Sequence, residues 1–156
     1  MTSSSSPIKE LLARQRFFSD FPPEFVALVA GCARSAAFDA GEYLAREGDR
    51  ADAFYLLMEG SVALEIAVPG RPPITIATLA MHDLVGVSWL VPPHVWMFDA
   101  RAIEPVTAIG FDAMCLRGKC EADHDLGYEM MKRFLPMLTQ RLHATRLQIL
   151  DVYGVC

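Results

Sequence analysis

The chain contains no apolar run approaching the roughly 18 residues that a membrane-crossing helix needs, so it is not expected to span or sit in a membrane. Its start, MTSSSSPIKE, lacks a basic stretch followed by an apolar one, and no secretory signal is read there. Positive charge is short as well: 14 Lys and Arg stand against 19 Asp and Glu, a net charge of −5 with no clustered basic run. Such a balance disfavours nucleic acid as a partner. The cysteines, Cys32, Cys115, Cys120 and Cys156, show no secreted disulfide framework, so reduced thiols in a cytoplasmic protein are the default. Also missing are a Ser-His-Asp arrangement, paired carboxylates at an evident cleft, a Walker loop and a dinucleotide fingerprint. The chain is therefore not expected to be an enzyme. What it has is apolar material, 53% hydrophobic against 21% charged over 156 residues, enough for one domain with a substantial core.

Residues 1–16 read as a flexible Ser-rich tail and the start of a helix, with Pro7 at its N-terminus and Ile8, Leu11 and Leu12 at helical spacing. A turn at Ser19–Glu24 leads to a second short helix carrying Phe25, Leu28 and Val29. From Ser35 the apolar period shortens from helix to strand, with turn residues at close intervals, the pattern of an all-β roll or jelly roll. Phe54–Leu57 is a buried strand, Glu59-Gly60 turns it into Ser61–Ile66, and Pro69–Pro73 is a hairpin tip before Ile74–Leu79. Thr107–Phe111 closes the roll. The single domain is placed at 17–156, with the roll at about 35–111 and a C-terminal helix at about 125–152.

Leu44-x3-Gly48-Asp49-x-Ala51-x2-Phe54-Tyr55-Leu56-Leu57-x2-Gly60 resembles the first signature of the cyclic nucleotide-binding domain family, which includes the catabolite-activator and fumarate/nitrate-type bacterial regulators. Ala45 departs from the family's usual β-branched residue or Cys. The resemblance runs from about Phe17 to Gly154. It implies a mainly β domain with flanking helices: a β-roll of jelly-roll type with a long C-terminal dimerisation helix. It also implies a ligand loop at Leu84–Ala102, where a Glu grips the ribose, an Arg pairs with the phosphate and backbone N–H groups complete an anion nest. Here Gly86 matches, but Val87 takes the Glu position, and Trp96, Met97 and Phe98 take the Arg-Ser-Ala positions. Losing the guanidinium removes a charge-assisted pair worth a few kcal/mol, so cyclic AMP or cyclic GMP is not the expected ligand.

The candidate ligand residues are Gly86, Val87, Ser88, Trp89, His94, Trp96, Met97, Phe98, Arg101 and Thr145. Strand alternation sends Arg101 and Trp96 to opposite faces, so Arg101 replaces the lost grip only through a slip or bulge; otherwise it is a surface arginine. Trp89, Pro92, Pro93, His94, Trp96 and Phe98 form a stiff aromatic enclosure, open to two readings. Either it is refitted for an apolar or planar ligand, haem on His94 included, or its side chains fill a site that no longer takes one. Cys115, Cys120 and His124 are a candidate metal or redox trio, with ordinary buried thiols as the alternative.

Over 125–152, Met131, Leu135, Leu138, Leu142, Thr145, Ile149 and Val152 recur at alternating spacings of four and three, the seam of a coiled-coil-like pair. Leu126, Met130, Phe134 and Met137 form a second stripe that packs on the roll, and Pro136 is expected to kink the helix. By resemblance, Thr145 falls where the family places a base-contacting hydroxyl; equally, it sets the register of the seam. No DNA-binding unit is read after Val152. The expected function is a stand-alone sensor that takes an unidentified small ligand and signals through a homodimer helix to a partner protein. The alternatives are a ligand-free adaptor dimer or a haem or redox sensor.

Overall fold

The computed structural model describes residues 5–154; Cys156 and the first four residues of the expected tail lie outside them. Helix α1 (Ser5–Ala13) and a 3-10 turn (Arg16–Phe18) lead to α2 (Pro23–Ala30), which starts on a proline at its first position with Glu24 in its first turn. Among the described residues eight strands follow: β1 Ala33–Phe38, β2 Tyr43–Ala45, β3 Ala53–Glu59, β4 Val62–Val68, β5 Arg71–Leu79, β6 Leu84–Val85, β7 Asp99–Ala102 and β8 Val106–Asp112. Two helices end the chain, α3 (Ala113–Ala122) and α4 (His124–Val152).

The strands form two antiparallel four-stranded sheets, in the orders β1-β8-β3-β6 and β2-β7-β4-β5. This is a β-roll with flanking helices and a long C-terminal helix. Strand alternation decides what lies between the sheets. Phe54, Leu56, Ile109 and Phe111 are buried from the first sheet, and Val62, Leu64, Ala100 and Ala102 from the second. Phe54 is the middle of an aromatic column, with Phe111 stacked at 4.5 Å on one side and Trp89 at 4.6 Å on the other. Phe134 of α4 meets both Phe54 and Trp89 edge-on at 5.7 Å. That geometry adds attraction beyond the area buried, and it ties the long helix to the roll.

The two stripes of α4 separate as their spacing predicts. Leu126, Met130 and Phe134 are buried, whereas Met131, Leu135, Leu138, Leu142, Ile149 and Val152 are exposed. Helix α4 continues through Pro136.

Helix α3 lies between the expected roll and the expected C-terminal helix. Asp112 starts α3 by accepting the Cys115 N–H at 3.0 Å, and only Ala113 and Leu116 are deeply buried. The cysteine readings need correction. Cys32 and Cys115 form a disulfide, with Cα atoms 5.8 Å apart. Cys115 is therefore not grouped with Cys120 and His124, and no metal-holding group of His, Cys, Asp and Glu occurs among the described residues.

Candidate functional site: the ligand loop

The loop leaves the roll at β6, where Val85 pairs with Tyr55 of β3. Gly86 follows at φ 110°, in a region that side chains rarely adopt. Ser88–Leu90 makes a 3-10 turn, and the Pro92-Pro93 peptide is cis. His94 then turns back at φ 58° and is half-buried. From there the chain is stitched to the preceding polar loop. The Ala51 N–H donates to the His94 carbonyl at 2.7 Å, the Gly48 N–H to the Trp96 carbonyl at 2.8 Å, and the Trp96 N–H to the Asp49 carbonyl at 2.8 Å.

These bonds aim Trp96 inward. Its ring covers Gly86 so closely that a Cβ on that glycine would lie 2.5 Å from the indole Cη2 and 2.9 Å from Cζ3. Trp96 is 4% exposed and packs edge-on against Phe98 at 6.0 Å. Trp89 is fully buried in the aromatic column, and its Nε1–H has no acceptor among the described residues. Ser88 is buried and Val87 half-buried beside them. The interior of the loop is thus packed with its own side chains. Met97, a candidate ligand residue, is turned outward and is 63% exposed.

Arg101 lies on the opposite side of β7 from the core residues Ala100 and Ala102. There it makes a two-pronged pair with Glu65 of β4, Nε to Oε1 at 3.2 Å and Nη2 to Oε2 at 2.7 Å. The hydrogen bond and charge of Glu65 raise the arginine's pKa further above its ordinary value. Asp99, on the same side of β7, accepts the Glu47 N–H at 2.8 Å and faces Arg46 at 3.4 Å. Thr145 is exposed, and its hydroxyl donates to the Arg141 carbonyl one turn back at 2.9 Å.

Two arginines not counted among the candidates hold the loop from outside. Arg141 of α4 donates to the Leu84 carbonyl, and Arg117 of α3 donates to the Trp89 carbonyl at 2.7 Å. Burial lowers the Arg141 pKa, and Asp83 partly offsets that. Neither contact has a local signal, since each joins positions far apart in the chain.

The comparisons with known proteins agree with this geometry. The model of the cyclic nucleotide-binding domain family matches residues 36–123, more than half of the chain. A CRP-like cAMP-activated global transcriptional regulator of Mycobacterium tuberculosis is 24% identical over 143 residues, covering 92% of this chain and 62% of that protein. The chain thus spans less than two thirds of the length of the curated relatives it matches. A putative cyclic nucleotide-binding protein from Geobacter metallireducens superposes with a TM-score of 0.78 at 27% identity, covering 86% of this chain and 98% of that one. A mutant of the cAMP-binding acyltransferase from Mycobacterium smegmatis matches with a TM-score of 0.72 at 25% identity, over 91% of this chain and 43% of that one. No described helix is long and apolar enough to cross a membrane. From the signature glycines, through the roll and its loop, to the matched family model, the chain belongs to the cyclic nucleotide-binding domain family.

Proposed function

We propose that this chain is a non-enzymatic regulatory module whose nucleotide site is closed by its own Trp96, and which acts as a homodimer through α4. One observation carries the reading: the Trp96 indole lies on Gly86, where the family's anion nest forms, so a phosphate and this ring compete for one volume. The electrostatics point the same way. Val87 and Trp96 replace the two charged grips, and Arg101 is already paired with Glu65. Moving Arg101 inward would leave a carboxylate that is 4% exposed without its partner, which is costly.

The dimer part rests on the exposed seam of α4. Its N-terminal half borders an apolar groove of about 410 Å³ lined by Leu90, Val91, Tyr128, Met131, Leu135 and Leu138. Leu142, 58% exposed, continues the seam, and a second copy covers such a stripe with matching residues. The helix state is then read by a partner protein. The Trp89 Nε1–H favours a second reading, in which Trp96 swings out to admit a small ligand bearing an acceptor.

Sedimentation with and without millimolar cyclic AMP or cyclic GMP tests the first reading. We expect a dimer whose sedimentation and tryptophan fluorescence do not respond to nucleotide, and a monomer for Leu142→Asp. An unaltered Leu142→Asp profile contradicts the seam, and a nucleotide response contradicts the closed site.

A further inference from the structure

We propose that Cys32 and Cys115 form a reversible thiol–disulfide site that sets how firmly α3, and through it the ligand loop, is held. The residues are 83 positions apart, and their Cα separation of 5.8 Å is within the span a disulfide bridges without backbone movement. The chain around them is already joined, the Asp112 N–H donating to the Cys32 carbonyl at 2.8 Å. Helix α3 is the bracket of this side of the molecule. Its Lys119 Nζ closes the end of α2 through the Leu28 carbonyl at 2.7 Å, and its Arg117 holds Trp89 in the loop. The Ala113 N–H also ties α3 to the Asp52 carbonyl at 3.0 Å. A covalent bond at the first turn of α3 thus stiffens a contact path that ends at the loop.

Reversibility follows from access. Cys115 is half-buried whereas Cys32 is only 6% exposed, so an incoming small thiolate reaches the Cys115 sulfur. Attack there forms a mixed disulfide on Cys115 and expels Cys32 as a thiolate, which takes a proton. A second thiolate then releases the small disulfide and the Cys115 thiolate, which is also protonated, for two electrons and two protons overall. Oxidation by the same class of small disulfide runs the steps backwards. Cys120, on the same helix, is different: burial pushes its thiol up to about 11, so it stays protonated and unreactive near neutral pH. In a reducing compartment a Cys32–Cys115 disulfide acts as a sensing bond rather than a permanent staple.

The test equilibrates the full chain in mixtures of reduced and oxidised glutathione, traps thiols by alkylation, maps the peptides, and follows hydrogen exchange of residues 84–91. We expect a Cys32–Cys115 linked peptide that appears and disappears reversibly under native conditions, with Cys120 never joining it. In the reduced protein, and in Cys32→Ser, the loop amides exchange about tenfold faster and Tm falls by about 5–15 °C, whereas Cys120→Ser changes neither. The proposal is overturned if the pair stays as thiols in oxidised glutathione, if it stays linked until the protein unfolds, or if loop exchange is the same in both states. None of these outcomes depends on whether nucleotide enters the loop.

Discussion

Trp89 and Trp96 sit on one loop and are both hidden from water, yet they are held in opposite ways. Trp89 is fixed by its ring: stacked on Phe54, met edge-on by Phe134, with its carbonyl taken by Arg117. It is part of the core. Trp96 is fixed by its backbone, which is bonded on both sides to the Gly48–Asp49 loop, while its ring rests on a glycine and one phenylalanine. Burial alone therefore does not say what a tryptophan is for. One ring supports the fold; the other covers Gly86 at the start of the loop.

Substitutions should separate the two. The largest effect is expected at Trp89, where Trp89→Ala empties the aromatic column and costs about 3–5 kcal/mol in denaturant unfolding. A loss below about 1 kcal/mol would break the distinction. Next comes Gly86→Ala, which combines an unfavourable φ with a Cβ driven into the Trp96 ring. We expect it to destabilise by about 2–3 kcal/mol, and Trp96→Ala in the same chain should recover part of that loss, a coupling of about 0.5–3 kcal/mol in a double-mutant cycle. The same cycle with Trp89 should give no coupling of that sign. The smallest effect is expected at Met97, the exposed neighbour of Trp96, where Met97→Ala should stay within about 0.5 kcal/mol of the parent. A larger loss would mean that the enclosure extends further than its buried residues.

The regular parts of the molecule were legible in the sequence because they are periodic. Alternation placed the strands between Ser35 and Phe111, and the two stripes of the last helix separated into a buried and an exposed face. The resemblance assigns Val87 and Trp96 to the family's Glu and Arg positions, but whether the Trp96 ring turns into the loop was not legible. That depends on the Gly48–Asp49 backbone bonds, which no local pattern announces. The same limit hid the Arg101–Glu65 pair, which forms across neighbouring strands. Cys115 shows how spacing misleads. It lies near Cys120 and His124 in sequence, but its sulfur is bonded to Cys32, 83 positions earlier in the chain. Arg117 and Arg141 reach backbone carbonyls rather than charged partners, so charge patterning does not reveal them.

The closed site is tested most directly by calorimetric titration of the native chain and of a Val87→Glu/Trp96→Arg variant with cyclic AMP and cyclic GMP. The account predicts no heat of binding for the native chain and measurable binding for the variant, in which the ring is gone and both charged grips are present. Micromolar binding by the native chain would contradict it, because the nucleotide would then enter past Trp96.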